Sequence, residues 1–357
     1  MESNPNARHP LGWLADAVLL AVLLPACSLP DIPIPVPAVP PEVVDPPCLT
    51  IPAAAGMLGY RHQIPDGAVW VSGCYNPANA NEVAAVGDLP DPAATAPGLS
   101  LYRLNLATGQ RTLLYDGLID SNAEWSRTGW IAFLRGGEAW KIKANGDSLQ
   151  QVTNTGRRLT AVESWSPDGR QLLCYRQLPD YTQTGLAIYT AQGTFMRLLP
   201  DAATRAYGGI SWSPDGQRLA YAGGPLSPVT APRLCLYDLA TNRIDTLDVL
   251  PRTFAGLSGV RWLPSGQEIV WGAINGIGIT NLQTRRTRLL RTNCQARSTG
   301  AVISYGLAYP RPSPDGQRIL VARGDRSVAP SDPGLLLERY SLETMSVQGG
   351  QLRKITP

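Results

Sequence analysis

The sequence predicts an all-β protein: a six-bladed β-propeller with four-stranded antiparallel blades, preceded by an export segment and a Pro-rich linker. Three observations carry that prediction. The 357 residues include 35 Gly and 32 Pro but only 3 Phe, which favours many short strands joined by turns over long helices. A nearly identical run recurs as "SWSPDGRQLLCYR" from Ser164, "SWSPDGQRLAYAG" from Ser211 and "RPSPDGQRILVAR" from Arg311. Between recurrences the chain divides into four short strand-like runs over roughly 40–50 residues, the pattern of propeller blades around an axis.

Taken in order, the first element is a targeting segment. Arg8 and His9 precede "LGWLADAVLLAVLLPACS", whose apolar run from Ala17 to Ala26 is short for a bilayer span but suits a signal-peptide core. Leu24-Pro25-Ala26-Cys27 resembles a lipobox, which implies cleavage before Cys27 and lipidation of that residue; an ordinary secretory signal or an uncleaved anchor are the alternatives. Residues 1–27 are thus expected to be the leader, and 28–50 the linker. In "LPDIPIPVPAVPPEVVDPPC" the prolines hold much of the backbone near polyproline geometry, so a stiff spacer is expected, with the membrane reached through Cys27.

The propeller is expected over 51–357. Aligning the units on a turn glycine places Gly67, Gly129, Gly169, Gly216, Gly266 and Gly316 in one column. In the fourth unit "GGISWS" reads as a strand, Pro214-Asp215-Gly216 as a turn, "RLAYA" as a second strand, "RLCLYDL" as a third and "RIDTLDV" as a fourth. The inner strands are expected to end near Trp125, Trp165, Trp212, Trp262 and Pro312. In the turn, Pro presets its torsion, Asp bonds the backbone just beyond it, and Gly accepts a positive φ cheaply. A calcium loop would need several oxygen ligands within a dozen residues, yet "LPSG" in unit five and "SRTG" in unit two lose the Asp and keep the pattern.

The chain has six cysteines. Once Cys27 is set aside the remainder is odd, so at least one thiol is free or joined to another chain. Cys174 and Cys235 sit in apolar strand patterns and read as small buried hydrophobes. Cys48 and Cys74 flank the first candidate strand pair and are expected to form a disulfide.

"WSPDG", followed by an apolar strand and a segment such as "IKANGDSLQQVT", resembles the TolB-type propeller repeat. The resemblance spans about Gly56 to Pro357. It departs from TolB in the expected absence of an α/β domain ahead of the propeller and in Pro312, which stands where Trp165, Trp212 and Trp262 stand in other units. The resemblance implies the fold. Propellers of this kind serve as partner-binding modules, as gating domains of serine peptidases and as metal-dependent polysaccharide lyases, so function has to be argued from sites.

Those chemistries find few residues here. No Gly-x-Ser-x-Gly elbow occurs, and no hydrolase domain is expected beyond the sixth unit. With His9 in the leader, His62 is the one remaining histidine, which excludes a multi-histidine metal site within one chain; His62 is expected in the first innermost strand. "NGIGIT" from Asn275 is a hairpin turn rather than a dinucleotide loop. Asp116, Asp120 and Glu124 read as solvated turn positions. The net charge of +3 is carried mostly by scattered arginines, with Lys confined to Lys141, Lys143 and Lys354, so no basic block suggests nucleic acid. No catalytic residue, cofactor or metal is expected.

The reading is a non-enzymatic extracytoplasmic binding or scaffold lipoprotein with an envelope protein or peptide as partner. The alternative is a carbohydrate-active or hydrolytic propeller using carboxylates at the channel mouth. In an antiparallel blade the turns joining strands one to two and three to four share a face, and the remaining connections emerge opposite. The long inserts, including those from Cys74 to Gly98, Gln177, Gly223, Arg291 and Gly324 to Gly334, fall on the second face. Long loops on rigid scaffolds commonly bind, so partner contacts are expected there at Tyr75, Tyr181, Arg205, Phe254, Arg297 and Arg326.

Overall fold

A computed structural model describes residues 42–43, 61–96, 98–120, 122–177, 184–199, 206–223, 233–247, 257–273, 276–293 and 305–356. Five four-stranded antiparallel sheets follow one another along the chain with a sixth that carries two extra short strands, so the architecture is the predicted six-bladed propeller. Blade 1 comprises Val69–Asn76, Asn79–Asp88, Ser100–Asn105 and Arg111–Tyr115. Blade 2 comprises Glu124–Trp125, Trp130–Arg135, Glu138–Lys143 and Gln150–Gln151. Blade 3 comprises Leu159–Trp165, Gln171–Gln177, Thr184–Thr190 and Phe195–Leu198. Blade 4 comprises Ala206–Trp212, Arg218–Gly223, Arg233–Asp238 and Ile244–Leu247. Blade 5 comprises Leu257–Trp262, Glu268–Ala273, Gly276–Asn281 and Arg286–Thr292. Blade 6 comprises Tyr305–Pro312, Arg318–Ala329, Asp332–Ser346 and Leu352–Lys354.

The burial of each strand follows from its radial position. Second and third strands are covered on both faces by neighbouring blades, so "RLAYAG" and "RLCLYD" of blade 4 are buried almost throughout and do not alternate. Outermost strands meet solvent, and "RTRLLRT" of blade 5 is accordingly polar and partly exposed. Apolar clusters fill the gaps between successive blades. Leu173, Leu186 and Ile188 of blade 3, for example, pack on Ile210, Trp212 and Leu219 of blade 4. A further cluster closes the ring, with Leu320 and Leu342 of blade 6 against Trp70, Tyr75, Val83 and Tyr102 of blade 1.

Closure is therefore made by side chains, because all four regular strands of blade 6 come from the C-terminal part of the chain. Two N-terminal pieces reinforce that blade. Glu42–Val43 pairs antiparallel on the outside of Leu352–Lys354. Arg61–Gln63 runs parallel to Leu335–Leu337, and Arg61 forms an ion pair with Asp332.

Blade 1 corrects the sequence alignment. Ile64-Pro65-Asp66-Gly67 is a turn, closed by Gly67 N–H to Ile64 O at 3.0 Å, but it precedes the blade instead of joining its first two strands. The inner hairpin turns at Asn76–Asn79, where the Asn76 side chain accepts the Ala78 N–H at 2.9 Å. Asn79 stands 50 residues before Gly129, which restores the repeat spacing. Consequently the segment from Cys74 to Gly98 is not one long insert, because it contains the buried second strand Asn79–Asp88. The segment from Gly324 to Gly334 is not a loop either. It prolongs the second hairpin of blade 6, paired from Arg318↔Ser346 to Ala329↔Asp332. His62 lies in the strand added to that hairpin and not in an innermost strand.

Candidate functional site

Inner strands end where predicted, at Trp125, Trp165, Trp212, Trp262 and Pro312, and blade 1 supplies Tyr75 in the same place. The repeat thereby stacks equivalent residues into rings around one mouth of the channel. Tyr75, the four tryptophans and Pro312 form an aromatic collar. Just outside it, Pro77, Pro167, Pro214, Pro264 and Pro314 form a rim; just inside it, Cys74, Glu124, Ser164, Ser211, Arg261 and Arg311 form a floor. The open cavity that they line is about 260 Å³. That is below the roughly 300–1,000 Å³ of small-molecule sites and suits one or two side chains of an inserted segment.

The rim turns are rigid for reasons local to the motif. In blade 3 the Ser166 hydroxyl and the Arg170 N–H (3.0 Å) both donate to Asp168, while the Gln171 N–H donates to Ser166 at 2.9 Å. Blades 4 and 6 repeat the arrangement with Ser213–Asp215 and Ser313–Asp315. The serine hydroxyl bond is the main cause holding Asp168, Asp215 and Asp315 below the usual carboxylate range. The repeated Asp-Gly is a turn device, and its carboxylates are committed to the turn. Collar rings are buttressed from the neighbouring blade, with Arg218 stacked 5.0 Å over Trp262 and Arg318 5.7 Å over Tyr75.

The floor is crossed by charge. Glu124 Oε1 receives Arg311 at 2.6 Å and Arg261 at 3.1 Å. Blades 2 and 5 stand opposite one another in a ring of six, so the Arg261 bridge spans the axis. Arg261 also donates to the carbonyls of Ile210 (3.2 Å), Val260 (3.0 Å) and Glu163 (3.3 Å). Its reach to blade 4 depends on Gly209, at φ +60°, where a Cβ would stand 2.8 Å from Gly259 Cα and 2.9 Å from Arg261 itself. Burial, followed by the Arg311 charge, pulls Arg261 below the ordinary guanidinium value. Glu163 is buried behind the floor, accepts the Ile210 N–H at 3.0 Å, and is pushed up mainly by burial. Burial likewise pushes the Cys74 thiol up to about 12, so it is a poor nucleophile at neutral pH.

Several donors at this mouth have no protein partner: Tyr75 Oη, Trp212 Nε1, Trp262 Nε1, Arg261 Nε and Arg311 Nε. Their residues are all less than one-tenth exposed. By contrast Trp165 Nε1 is satisfied by the Glu124 carbonyl at 2.9 Å.

The predicted contacts divide. Tyr75 is brought into the collar, at the hairpin face rather than the long-loop face, because the first hairpin turns at Asn76–Asn79. Arg326 lies on the prolonged hairpin at the other face and is held by Glu338 at 2.7 Å. Tyr181, Arg205, Phe254 and Arg297 lie outside the described residues, as does Cys27. Cys74 is a free thiol, and Cys48, to which a bridge was expected, lies outside the described residues. Glu124 is not the solvated turn position expected of it, since the residue is 8% exposed and bound by two arginines. Glu124, Arg261 and Arg311 were legible in one respect only: each immediately precedes the collar residue of its unit.

No protein-family model matches the chain, and no curated protein matches it in sequence. Solved structures do. A TolB from Agrobacterium tumefaciens is 17% identical, with a TM-score of 0.55 over 71% of this chain and 86% of that one. TolB from Acinetobacter baumannii is 14% identical, with a TM-score of 0.57 over 77% of this chain and 63% of that one. An acylaminoacyl peptidase from Pyrococcus horikoshii is 13% identical, with a TM-score of 0.50 over 81% of this chain but only 52% of its own length. At these identities the likeness is one of fold: the chain adopts a TolB-type six-bladed propeller.

Proposed function

We propose, from this TolB-type propeller fold, that the protein is an extracytoplasmic binding module without catalytic activity, tethered through Cys27, that receives an extended segment of a partner protein at the hairpin-face mouth. The observation that carries the reading is the set of buried, unpartnered donors around an apolar collar. An unmade hydrogen bond at a buried donor costs about 1–3 kcal/mol, so a small side-chain adjustment on binding that lets a peptide acceptor reach Tyr75, Trp212 or Trp262 favours the bound state. The apolar rings and prolines supply contact area, and the braced turns keep the mouth preorganised.

Hydrolysis by mouth carboxylates fits less well. Glycoside chemistry uses two carboxyl groups flanking the scissile bond. Among the described residues, Glu124 is the one carboxylate in the lining, and both arginines hold its Oε1.

A photocrosslinking amino acid at Pro264 on the rim is expected to trap a partner in intact cells, whereas the same probe at the exposed outer-strand residue Arg286 traps none; equal trapping at both would refute the mouth as the site. The tether is tested separately. Wild-type protein should incorporate labelled fatty acid and sediment with membranes, and Cys27→Ser should do neither; an unlabelled wild-type chain would remove the lipid anchor from the proposal.

A further inference from the structure

We infer that the mouth recognises a carboxylate: the deepest group of the bound segment is an acidic side chain or a free chain end, received by Arg311, with Arg261 adding its charge from beside it. This rests on the binding reading and specifies its chemistry.

The floor has six contributing positions, of which two are guanidinium and one is carboxylate. Both arginines use an Nη2 on the same oxygen, Glu124 Oε1. Arg311 makes no other polar contact among the described residues, although a guanidinium carries five donors in a planar fork. Its Nε and that of Arg261 are buried without a partner. Around them the collar adds the unpartnered indole N–H groups of Trp212 and Trp262, which only donate, and the hydroxyl of Tyr75, which donates or accepts. The lining thus sets two guanidiniums against one carboxylate, and its unpartnered donors outnumber its free acceptors, of which Glu124 Oε2 is the charged one. Glu163 lies behind the floor, where burial pushes its carboxyl above the ordinary carboxylate value and the Ile210 N–H donates to it. A planar anion with two acceptor oxygens matches the free edge of a guanidinium in a bidentate pair. The collar of aromatic and proline surface, in a cavity of about 260 Å³, matches the organic stem to which a carboxylate is attached. No displacement of Glu124 is needed, since Arg311 spends only its Nη2 on Glu124 and keeps Nη1 uncommitted, whereas the Nη groups of Arg261 are engaged by Glu124 and three carbonyls.

Random octapeptides, displayed in one arm with a free C-terminus and in the other with the C-terminus fused, are selected on the full-length protein, and binding is followed by collar tryptophan fluorescence. Binders should share an acid at one position in both arms if a side chain is recognised, or appear only in the free-end arm if the chain terminus is. Changing that Glu to Gln, or amidating the free end, should weaken binding roughly 10–100-fold, the value of a hydrogen-bonded charge. Arg311→Gln should abolish that preference. Should Arg311→Gln fail to fold, Ser164→Asp places a negative charge on the floor with both arginines intact, and it should likewise turn selection away from acids. Binders that perturb the collar tryptophans yet show no acidic preference would overturn the carboxylate and leave the binding reading standing. A failure to select any binder in either arm would overturn both.

Discussion

Glu124→Ala is expected to destabilise the propeller by about 3–5 kcal/mol, because it strands two buried guanidiniums beside one another. Arg261 and Arg311 are each under one-tenth exposed, and Glu124 Oε1 is the acceptor they share. The effect is larger than that of a surface ion pair, since both guanidiniums are buried and lose the carboxylate that they share. The triad also ties blades 2, 5 and 6 across the axis, so its loss should loosen several blades together. Urea denaturation provides the measurement. Replacing all three by apolar residues, as Glu124→Leu with Arg261→Met and Arg311→Met, should recover most of the stability, because burying charges is itself costly. A Glu124→Ala protein within roughly 0.5 kcal/mol of wild type, the range of surface substitutions, would show that the triad is no brace.

Leu342→Ala tests the seam where the ring closes. Leu342 is fully buried, at 0% exposure, and with Leu320 it presses on Gly73, so that even a Cβ at that glycine would meet both leucines at 3.1 Å. Truncation should cost about 2–5 kcal/mol through lost burial and the cavity left behind. Its location should be as diagnostic as its size. Every other blade interface joins segments that follow one another in the chain, whereas this one joins the last blade to the first and has side chains as its principal link. Hydrogen exchange should therefore accelerate first in Asn79–Asp88 and Arg318–Ala329. As a control, Leu173→Ala at the interface of blades 3 and 4 should lower stability without selectively opening the seam. Identical exchange patterns in the two variants would mean that the ring has no weak seam.

Much of the fold was legible because it is encoded locally and repeatedly. Each "SPDG" carries its own turn chemistry, and the strands beside it are apolar enough to be sandwiched, so the ends of five inner strands at Trp125, Trp165, Trp212, Trp262 and Pro312 could be read directly. Blade 1 was misread for the same local reason. "IPDG" is a sound turn wherever it occurs, and "NPAN" turns the chain with an asparagine cap and no glycine. Which of the two joins blade strands depends on what Arg61–Gln63 pairs with, and that partner lies at Leu335–Leu337.

By itself, then, the sequence determined the number of blades, their strand count and the chemistry of their turns, because these depend on residues a few positions apart. Only the tertiary structure decided the site. Glu124 lies in a short polar stretch that looks solvated, and its meaning comes from Arg261, 137 residues away, and from Arg311, farther still. The closing of the ring brings these three together at one level of the axis, and burial there turns scattered charges into a donor-rich floor. The coupling is one of distance and dielectric, and neither is written in the spacing of residues along the chain.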